Sequence, residues 1–542
     1  MMLSTSSLTN FPDEIIHNIL DQGILTRTDL HKFLFNKTTH HIAQRILNKR
    51  VLVHLSVGKR RNYESSITTP YDYDTTCDQH IYYNFSTVEL FLHWLADHYN
   101  LQNYIIQIFI EQFDLSDLKA LKLLRGKNLK IYLNYEHDLL NSAPRFNRLI
   151  WPCFRGIFSL TENRISVVIE YENFIESPIH LNLTDIEEIE IRSYFPTAQS
   201  FHLITDMPCL AKIVINNSSL APLNLKLDCR GDNVETFVIK GPVESLVHVG
   251  KFLQYDCHRI RNLVVNRCNL HDFHCHFLKH FSPSGLPSLR KLDLSSNEFG
   301  SLENINLQSY FPRLLSLQIK FEIHKTNKFR FSNIQLPSTL QVLNLQDKKI
   351  YSFSIAMGPK QFKSLDLSYN YPLDFHFNSI DEIDSLNLSY NRSILSSIHR
   401  FNLDDIAKFI FSKVEQLNLQ GCNITNEDLE SLELLLASPI QQSPNAPLSR
   451  LHILNLSNNK LSNLRCFNSK SFKMLPLQQV DLSFNAFYSL SKYNFPLTLA
   501  NYPNLLKINL TGNSRLSRIH SSNDDEYPKL ETMYTSIRPN SI

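Results

Sequence analysis

The chain has 542 residues, of which 43% are hydrophobic and 20% are charged, a composition typical of globular rather than disordered proteins. A single compact core stops growing at about 250–300 residues, so the chain must form several domains or an array of repeated units. Its 54 Lys and Arg residues stand against 52 Asp and Glu residues, which excludes a global charge that would steer it to nucleic acid or anionic lipid.

The cysteines and the lengths of the apolar runs indicate in which cellular compartment the protein is found. The nine cysteines show no disulfide-framework spacing and favour free thiols in a reducing environment. The first ten residues lack the basic and apolar regions of a signal peptide, and no run reaches the roughly 18–20 apolar residues of a membrane span. We therefore expect a cytoplasmic or nuclear protein, or one found in both places, with neither membrane nor nucleic acid as a partner.

Residues 1–50 are predicted to form a small helical module. Pro12 and the acidic residues after it suit a helix start, and Ile15, Ile16, Ile19 and Leu20 form a helical apolar stripe. After a break at residue 23, two further helices are predicted over residues 28–35 and 38–47. Three short helices bury little surface alone, so the module requires a partner or a neighbouring domain.

The order of residues in this module resembles the F-box, which opens with Leu-Pro-x-Glu-Ile and binds the Skp adaptor of cullin-based ubiquitin ligases. The resemblance covers roughly 40 residues: Phe-Pro-Asp-Glu-Ile-Ile-x-x-Ile-Leu at 11–20, Asp-Leu at 29–30 and Phe-Leu-Phe-Asn-Lys at 33–37. The chain departs from the family at residues 38–41, where Thr-Thr-His-His replaces a region that often holds a Trp. The resemblance implies adaptor contacts by Phe11, Pro12, Ile16, Ile19, Leu30 and Phe33.

Residues 51–130 are predicted to be a linker followed by degenerate first elements of the next domain. The polar, aperiodic stretch 56–74 is predicted to be a loop. Residues 105–110 and 129–133 are predicted to be strands, with a helix-like segment over 115–124 between them.

Residues 131–515 are predicted to form a repeat region, in which the copies from residue 186 onward have apolar residues at positions 1, 4 and 6, and eight of them have Asn or Cys at position 9. Ten of the twelve intervals between copies lie within 20–29 residues, and the two longer intervals require insertions. The copies begin at Ile186, Leu210, Val234, Ile260, Leu289, Leu314, Leu340, Phe362, Ile383, Val414, Leu451, Leu477 and Leu505.

Each copy predicts a strand followed by a turn. Apolar residues at positions 4 and 6 point to the same side of a strand, while position 5 faces solvent. At position 9, a buried Asn side chain can bond the backbone groups that the turn leaves unpaired. Six copies have Asn there and two have Cys: Asn297, Asn370, Asn391, Asn459, Asn485, Asn513, Cys268 and Cys422.

This pattern resembles the leucine-rich repeat and implies an α/β fold, a solenoid or horseshoe that binds a protein on its inner face. The segment around residues 530–533 resembles a last, incomplete copy within a C-terminal cap or tail at 516–542. The candidate substrate-binding residues are those at position 5, flanked by the polar residues at positions 3 and 7: Asp293, Asp366, Asn387, Asn418, Asp481 and Asn509.

One group of residues has the composition of a metal site. Cys257, His258, Cys268 and five further residues between 271 and 280 include His276 and His280, spaced four apart as zinc ligands can be. There is no paired CxxC, and Cys268 occupies the inward-facing position 9. A chance grouping is therefore the preferred interpretation, and we expect no metal and no other cofactor.

The sequence contains no catalytic motif: no Gly-rich phosphate loop, GxSxG or HExxH stands in it. An F-box-like segment before leucine-rich repeats is the layout of substrate receptors in cullin-based ligases of the SCF type, including those of fungi. The resemblance thus implies a non-enzymatic receptor whose partners are the Skp adaptor with its cullin complex and an unknown protein substrate. The alternative is a leucine-rich scaffold or regulator whose N-terminal helices only cap the array; an enzyme using residues 271–280 is a more distant one.

Overall fold

A computed structural model describes eight strands between residues 51 and 205, most of residues 208–516, and residues 529–531. Within 208–516 the gaps are 230, 256, 282–284, 321–328, 348, 371–373, 377–379, 393, 395–408, 411, 437–448, 489–493 and 515. The chain divides into two compact units, Met1–Val238 and Ile239–Ile542, so the division falls inside the predicted repeat region. The F-box-like module of residues 1–50, with its six predicted adaptor contacts, lies outside the described residues.

The described part of the first unit consists mainly of parallel strands. Strands β1, β2 and β3 form one sheet, β6, β8 and β10 form another, and β4, β5, β7 and β9 pair in succession. Their bounds are β1 Val51–Val57, β2 Gln79–Phe85, β3 Tyr104–Ile108, β4 Leu129–Tyr135, β5 Ile165–Tyr171, β6 Ile179–Leu181, β7 Glu188–Ser193, β8 Gln199–Thr205, β9 Lys212–Asn217, β10 Leu223–Cys229 and β11 Thr236–Lys240, which spans the division.

These strands test the predictions for residues 51–133. The strands predicted at 105–110 and 129–133 are confirmed as β3 and β4. The loop predicted from residue 56 was placed two residues too early, because β1 pairs with both of its neighbours and extends to Val57. The helix-like segment 115–124 lies outside the described residues.

In the second unit, eleven of the described strands form one parallel sheet in the order β12-β13-β15-β17-β19-β21-β22-β23-β24-β25-β26. Every predicted copy from Ile260 to Leu505 supplies one strand of this sheet, and position 4 of each copy pairs with position 4 of the next. The α/β class is confirmed to this extent, with a large parallel sheet and few helices. The bounds are β12 Asn262–Asn266, β13 Lys291–Asp293, β15 Ser316–Gln318, β17 Val342–Asn344, β19 Gln361–Asp366, β21 Glu382–Asn387, β22 Val414–Asn418, β23 Ile453–Asn455, β24 Gln479–Asp481, β25 Lys507–Asn509 and β26 Lys529–Glu531.

The apolar positions of the copies form the core of the second unit. Leu289, Leu292 and Leu294 are buried, and the same three positions are buried in the copies that begin at Phe362 and Ile383. Burying a Leu side chain contributes roughly 1.5–3 kcal/mol, so each copy adds several kilocalories to the stacking of its strand. Consecutive copies therefore share a continuous apolar interior.

The segments that return from one copy to the next take two forms. Copies separated by 21–26 residues between Leu289 and Ile383 return as strands, which form a parallel sheet in the order β14-β16-β18-β20. These strands are β14 Leu302–Glu303, β16 Phe329–Gln335, β18 Ile350–Met357 and β20 Asp374–His376.

Other returns contain helices, including those of the 26-residue copies that begin at Val234 and Leu451. Helix α4 begins with a capping box: the Thr425 backbone N–H donates to Asp428 Oδ2 at 2.8 Å, and the Asp428 N–H donates to Thr425 Oγ1 at 3.3 Å. No helix in the described ranges is long and apolar enough to cross a membrane. The helices are α1 Val247–Tyr255, α2 Phe273–His276, α3 Leu307–Tyr310, α4 Asn426–Leu436 and α5 Lys470–Lys473, with 3-10 turns at Leu278–Phe281 and Arg465–Asn468.

The asparagines at position 9 link each copy to the one before it. Asn391 is fully buried; its amide donates to the carbonyls of Leu367 at 2.9 Å and Leu388 at 2.7 Å, and its oxygen accepts the Asn370 N–H at 2.9 Å. The other asparagines at this position likewise donate both to their own copy and to the preceding one: Asn297, Asn370, Asn459, Asn485 and Asn513. The predicted role of this residue in satisfying the turn is confirmed.

The two cysteines at position 9 supply the donor half of this arrangement with a thiol. The Cys422 thiol donates to the carbonyl of Leu388 at 3.2 Å, and the Cys268 thiol donates to that of Asn266 at 3.3 Å. Burial raises the pKa of the Cys422 thiol to about 12, and it also raises the pKa of Cys268. Both therefore act as neutral, weak donors rather than as reactive thiolates.

Candidate binding surface on the parallel sheet

The residues at position 5 form one polar column across the sheet of the second unit. The strand register pairs each of them with position 5 of the neighbouring copy, and all are half-buried. The column contains the six predicted substrate-binding residues and three that the sequence analysis did not select: Asp293, Gln318, Asn344, Asp366, Asn387, Asn418, Asn455, Asp481 and Asn509.

One oxygen of each Asp or Asn in this column closes the turn at the end of its own strand. Asp366 Oδ1 accepts the backbone N–H and the hydroxyl of Ser368 at 2.9 and 2.7 Å. In Asn418 the same atom accepts the N–H of Gln420 at 3.0 Å. Equivalent backbone bonds are made at Asp293, Asn344, Asn387, Asn455, Asp481 and Asn509. This Asx turn explains the preference for Asp and Asn at position 5 without reference to a ligand.

In Asp293, Asp481 and Asn509 the second terminal atom contacts a polar side chain of a neighbouring copy. The Asn509 amide donates to Asp481 Oδ2 at 3.1 Å, and the Asn266 amide approaches Asp293 Oδ2 at 3.4 Å. The column is thus a row of acceptors and donors held in place by its own turns. It presents a pre-ordered polar surface that a protein partner could contact.

The serines at position 7 do not belong to that surface, although the wider predicted row included them. Ser295, Ser368, Ser389 and Ser483 are buried. The backbone N–H of each of these serines bonds the side chain at position 5, and in three of the four the hydroxyl bonds the same side chain.

Charged residues lie along the edge of the sheet where its strands begin, which we call the amino-terminal rim. Over β13 and β15 this rim carries three exposed cations, Arg290, Lys291 and Arg313. Arg290 and Arg313 were not among the predicted site residues, because they lie beside position 1 rather than between the apolar residues. The sequence feature that could have identified them is the recurrence of basic residues next to position 1 in neighbouring copies.

Farther along the rim, three carboxylates surround one guanidinium. Arg450 Nη1 lies 2.6 Å from Glu382 Oε2, and its Nη2 lies 3.6 Å from Asp384 Oδ1 and 3.7 Å from Glu415 Oε2. The shortest of these contacts is an ion pair rather than a hydrogen bond, because Nη1 is not oriented to donate to that oxygen. Since all four side chains are about a third exposed, water screens the attraction, and each pair contributes at most about 1 kcal/mol.

Aromatic rings occupy strained positions at the opposite ends of the strands. Tyr369 and Tyr390, at position 8, have φ angles of 57°, a left-handed conformation that bulky residues rarely adopt. Their rings stack with centroids 4.4 Å apart, and the ring of Tyr390 covers Gly421, position 8 of the next copy. Phe484 covers Gly512 in the same way. Burial first, and then the neighbouring Tyr390, raises the pKa of the Tyr369 hydroxyl.

The residues of the possible zinc site are not brought together as a ligand set. Cys257 and Cys268 are buried, whereas His258, His271, His274 and His276 are exposed. His276 Nδ1 accepts the backbone N–H groups of His271 and Asp272, each at 3.3 Å, and His271 pairs with Glu298 at 3.0 Å. Within the part of the chain that the structure describes, no group of three or more His, Cys, Asp or Glu residues could hold a metal ion.

Comparison with known proteins adds no relative. No protein-family model matches the chain, and no curated protein matches it.

Proposed function

We propose that this chain is the substrate receptor of a cullin-based ubiquitin ligase. In this proposal residues 11–37 bind a Skp-type adaptor as an F-box does, and the copies from residue 186 onward form a leucine-rich-repeat solenoid that holds a protein substrate. The amino-terminal half of the proposal rests on the F-box resemblance. The observation that carries the other half is the continuous polar column at position 5, held at one register across the strands of the second unit.

Such a receptor acts through proximity and needs no active site of its own. Binding the adaptor at one end and the substrate at the other holds a substrate lysine near the ubiquitin-charged enzyme. This raises the effective concentration of the lysine and orients it for attack. The second terminal atoms at position 5, in Asp293, Asp366, Asn387, Asn418, Asp481 and Asn509, would supply part of the polar contact with that substrate.

Co-purification of the adaptor tests the proposal. The full-length chain would be co-expressed with its host's Skp adaptor, beside a variant that carries Pro12→Ala and Ile16→Ala. We expect the full-length chain to retain the adaptor and the variant to lose it, because both substitutions remove apolar surface from the motif. Asn18→Ala, a change of a polar residue in the same stretch, is the matched control and should retain the adaptor.

Two outcomes would contradict the proposal. One is a folded variant that retains the adaptor as well as the full-length chain does, as judged by equal circular dichroism. The other is a soluble full-length chain that captures no adaptor. The chain would then be a leucine-rich scaffold whose first helices serve only as a cap.

A further inference from the structure

We propose that the basic patch, formed by Arg290, Lys291 and Arg313 on the amino-terminal rim, binds an acidic, Asp- and Glu-rich segment of a protein partner. The identification of that partner with the ligase substrate rests on the proposed function. The binding of an acidic segment follows from the patch itself.

The backbone of the sheet holds these cations close together. The N–H groups of Arg290 and Lys291 both donate to the carbonyl of Arg261, at 2.8 and 2.9 Å. The N–H of Leu315, two residues after Arg313, donates to the carbonyl of Arg290 at 2.8 Å. Neighbouring strands lie about 4.8 Å apart. The backbones of Arg290, Lys291 and Arg313, at the beginnings of β13 and β15, therefore lie within about 10 Å of one another.

The patch is exposed, and no carboxylate in the part of the chain that the structure describes forms an ion pair with it. Arg290, Lys291 and Arg313 are all exposed, and no ion pair of theirs occurs among the residues described. The nearest carboxylate on the strand is Asp293. Its Oδ1 accepts the N–H and hydroxyl of Ser295 at 2.9 and 2.6 Å, and its Oδ2 faces the Asn266 amide. Like charges next to each other on paired strands repel, so an anionic ligand would reduce the electrostatic repulsion among these three cations.

The charge distribution along the rim favours an acidic protein segment over nucleic acid. Four strand spacings beyond β13, or about 19 Å, the rim becomes acidic at β21 and β22, with three carboxylates around Arg450. A long polyanion lying along the sheet would meet these carboxylates. A short acidic segment that ends before β21 would not, and the net charge of +2 offers a polyanion no broader attraction.

Peptide binding to the full-length chain tests the inference. The probe is a fluorescent peptide of about a dozen residues in which Glu alternates with Ser, measured by anisotropy at low and at moderate salt. The triple variant Arg290→Gln, Lys291→Gln, Arg313→Gln should bind it about tenfold more weakly at low salt and with a smaller salt dependence. Lys473→Gln, which removes an exposed charge from helix α5, is the matched control and should leave binding unchanged.

The inference is overturned if the triple variant, with an unchanged circular dichroism spectrum and thermal midpoint, binds the peptide as the natural chain does. It is also overturned if a single-stranded oligonucleotide of equal charge binds the natural chain more tightly than the peptide and loses that affinity in the triple variant. Adaptor capture should be unaffected by the triple substitution. Failure of adaptor binding therefore contradicts the proposed function alone, and failure of peptide binding contradicts this inference alone.

Discussion

At the scale of single residues, the buried asparagines of position 9 show how one side chain can replace several missing backbone bonds. Asn391 donates to three carbonyls and accepts one N–H, and all four of its partners are main-chain groups in two successive copies. Removing the amide would leave these groups buried without partners, and each such group costs roughly 1–3 kcal/mol.

We therefore expect Asn391→Ala to lower the stability by about 3–5 kcal/mol, a large fraction of what a folded domain possesses. Thermal unfolding followed by circular dichroism would measure the loss. The neighbouring exposed residue provides the control, since Arg392→Ala should shift the midpoint little. Equal midpoints for the two variants would mean that water enters the site and satisfies the turn.

Gly421 illustrates a different constraint on a single residue. Its φ angle is +67°, and a Cβ atom there would lie 2.6 Å from Cδ1 of Tyr390. Gly421→Ala should therefore cost about 1–3 kcal/mol, partly from the backbone and partly from displacement of the tyrosine pair.

Gly300 is the matched control for Gly421, because a Cβ there would have no heavy atom within 4 Å. Urea denaturation of Gly421→Ala and Gly300→Ala separates the site-specific cost from the general effect of replacing glycine. Adding Tyr390→Ala to Gly421→Ala should recover the steric part only. Full recovery would show that the backbone conformation carries no strain.

At the scale of the element, most copies of the second unit combine one strand with a turn closed from both sides. Position 5 closes the turn from the solvent side, and position 9 closes it from the core. Where Cys replaces Asn at position 9, the turn contains a buried thiol, and burial disfavours its charged form. The stability of the folded protein therefore depends on pH.

The sign of that dependence follows from the raised pKa of Cys422. The thiol ionises near its ordinary value of 9.0 in the unfolded chain but only near 12 in the folded one. The unfolded state therefore binds fewer protons between these values, and stability falls as pH rises from about 9 to about 12. Below pH 9 the thiol is neutral in both states and the full stability is present.

Cys422→Ser removes this titration and keeps a hydroxyl donor in the turn. Between pH 9 and 12 we expect the unfolding free energy of the natural chain to fall relative to that of the variant, by at most about 1.4 kcal/mol per pH unit. Urea denaturation in the presence of reductant at several pH values gives the slopes. Parallel slopes would indicate that Cys422 ionises in the folded protein as freely as it does when unfolded.

Many features of these elements could be predicted from the sequence, because they follow from local periodicity. The leucines at positions 4 and 6 predicted the strands, and Asn at position 9 predicted the turn bonds. The strands β16 and β18 could not be predicted in this way, since their extended form depends on pairing with the returns of neighbouring copies. The sequence also could not predict that Asp366 closes a turn, because a polar residue on an exposed strand face is equally typical of a ligand-binding residue.

At the scale of the whole molecule, each strand of the large sheet described in the second unit pairs with the strands of the preceding and following copies. Stability in such an arrangement is approximately a sum of local and nearest-neighbour contributions, and local opening can precede global unfolding. Sequence alone could indicate this arrangement through its repeat, but not the division between Val238 and Ile239, which depends on contacts among distant residues.

Leu386→Ala tests this nearest-neighbour behaviour. Leu386 is fully buried on β21 and pairs with Leu365 and Leu417, so the cavity should cost about 2–5 kcal/mol. Hydrogen exchange should increase first in β19, β21 and β22, while β13 keeps the protection that it has in the natural chain. A uniform increase across all strands would instead identify the second unit as a single cooperative block.

The double use of the position 5 side chains has a consequence for how such a chain can diversify. Asp and Asn both present Oδ1 to the turn and differ only in the atom that remains, an oxygen in one and an NH2 group in the other. Exchanging them reverses the hydrogen-bonding sense of the exposed face, and can add or remove a charge, without changing the size or conformation of any residue. Asp-to-Asn and Asn-to-Asp substitutions at position 5 could therefore change partner preference without a cost to folding, because the bond that closes the turn is kept.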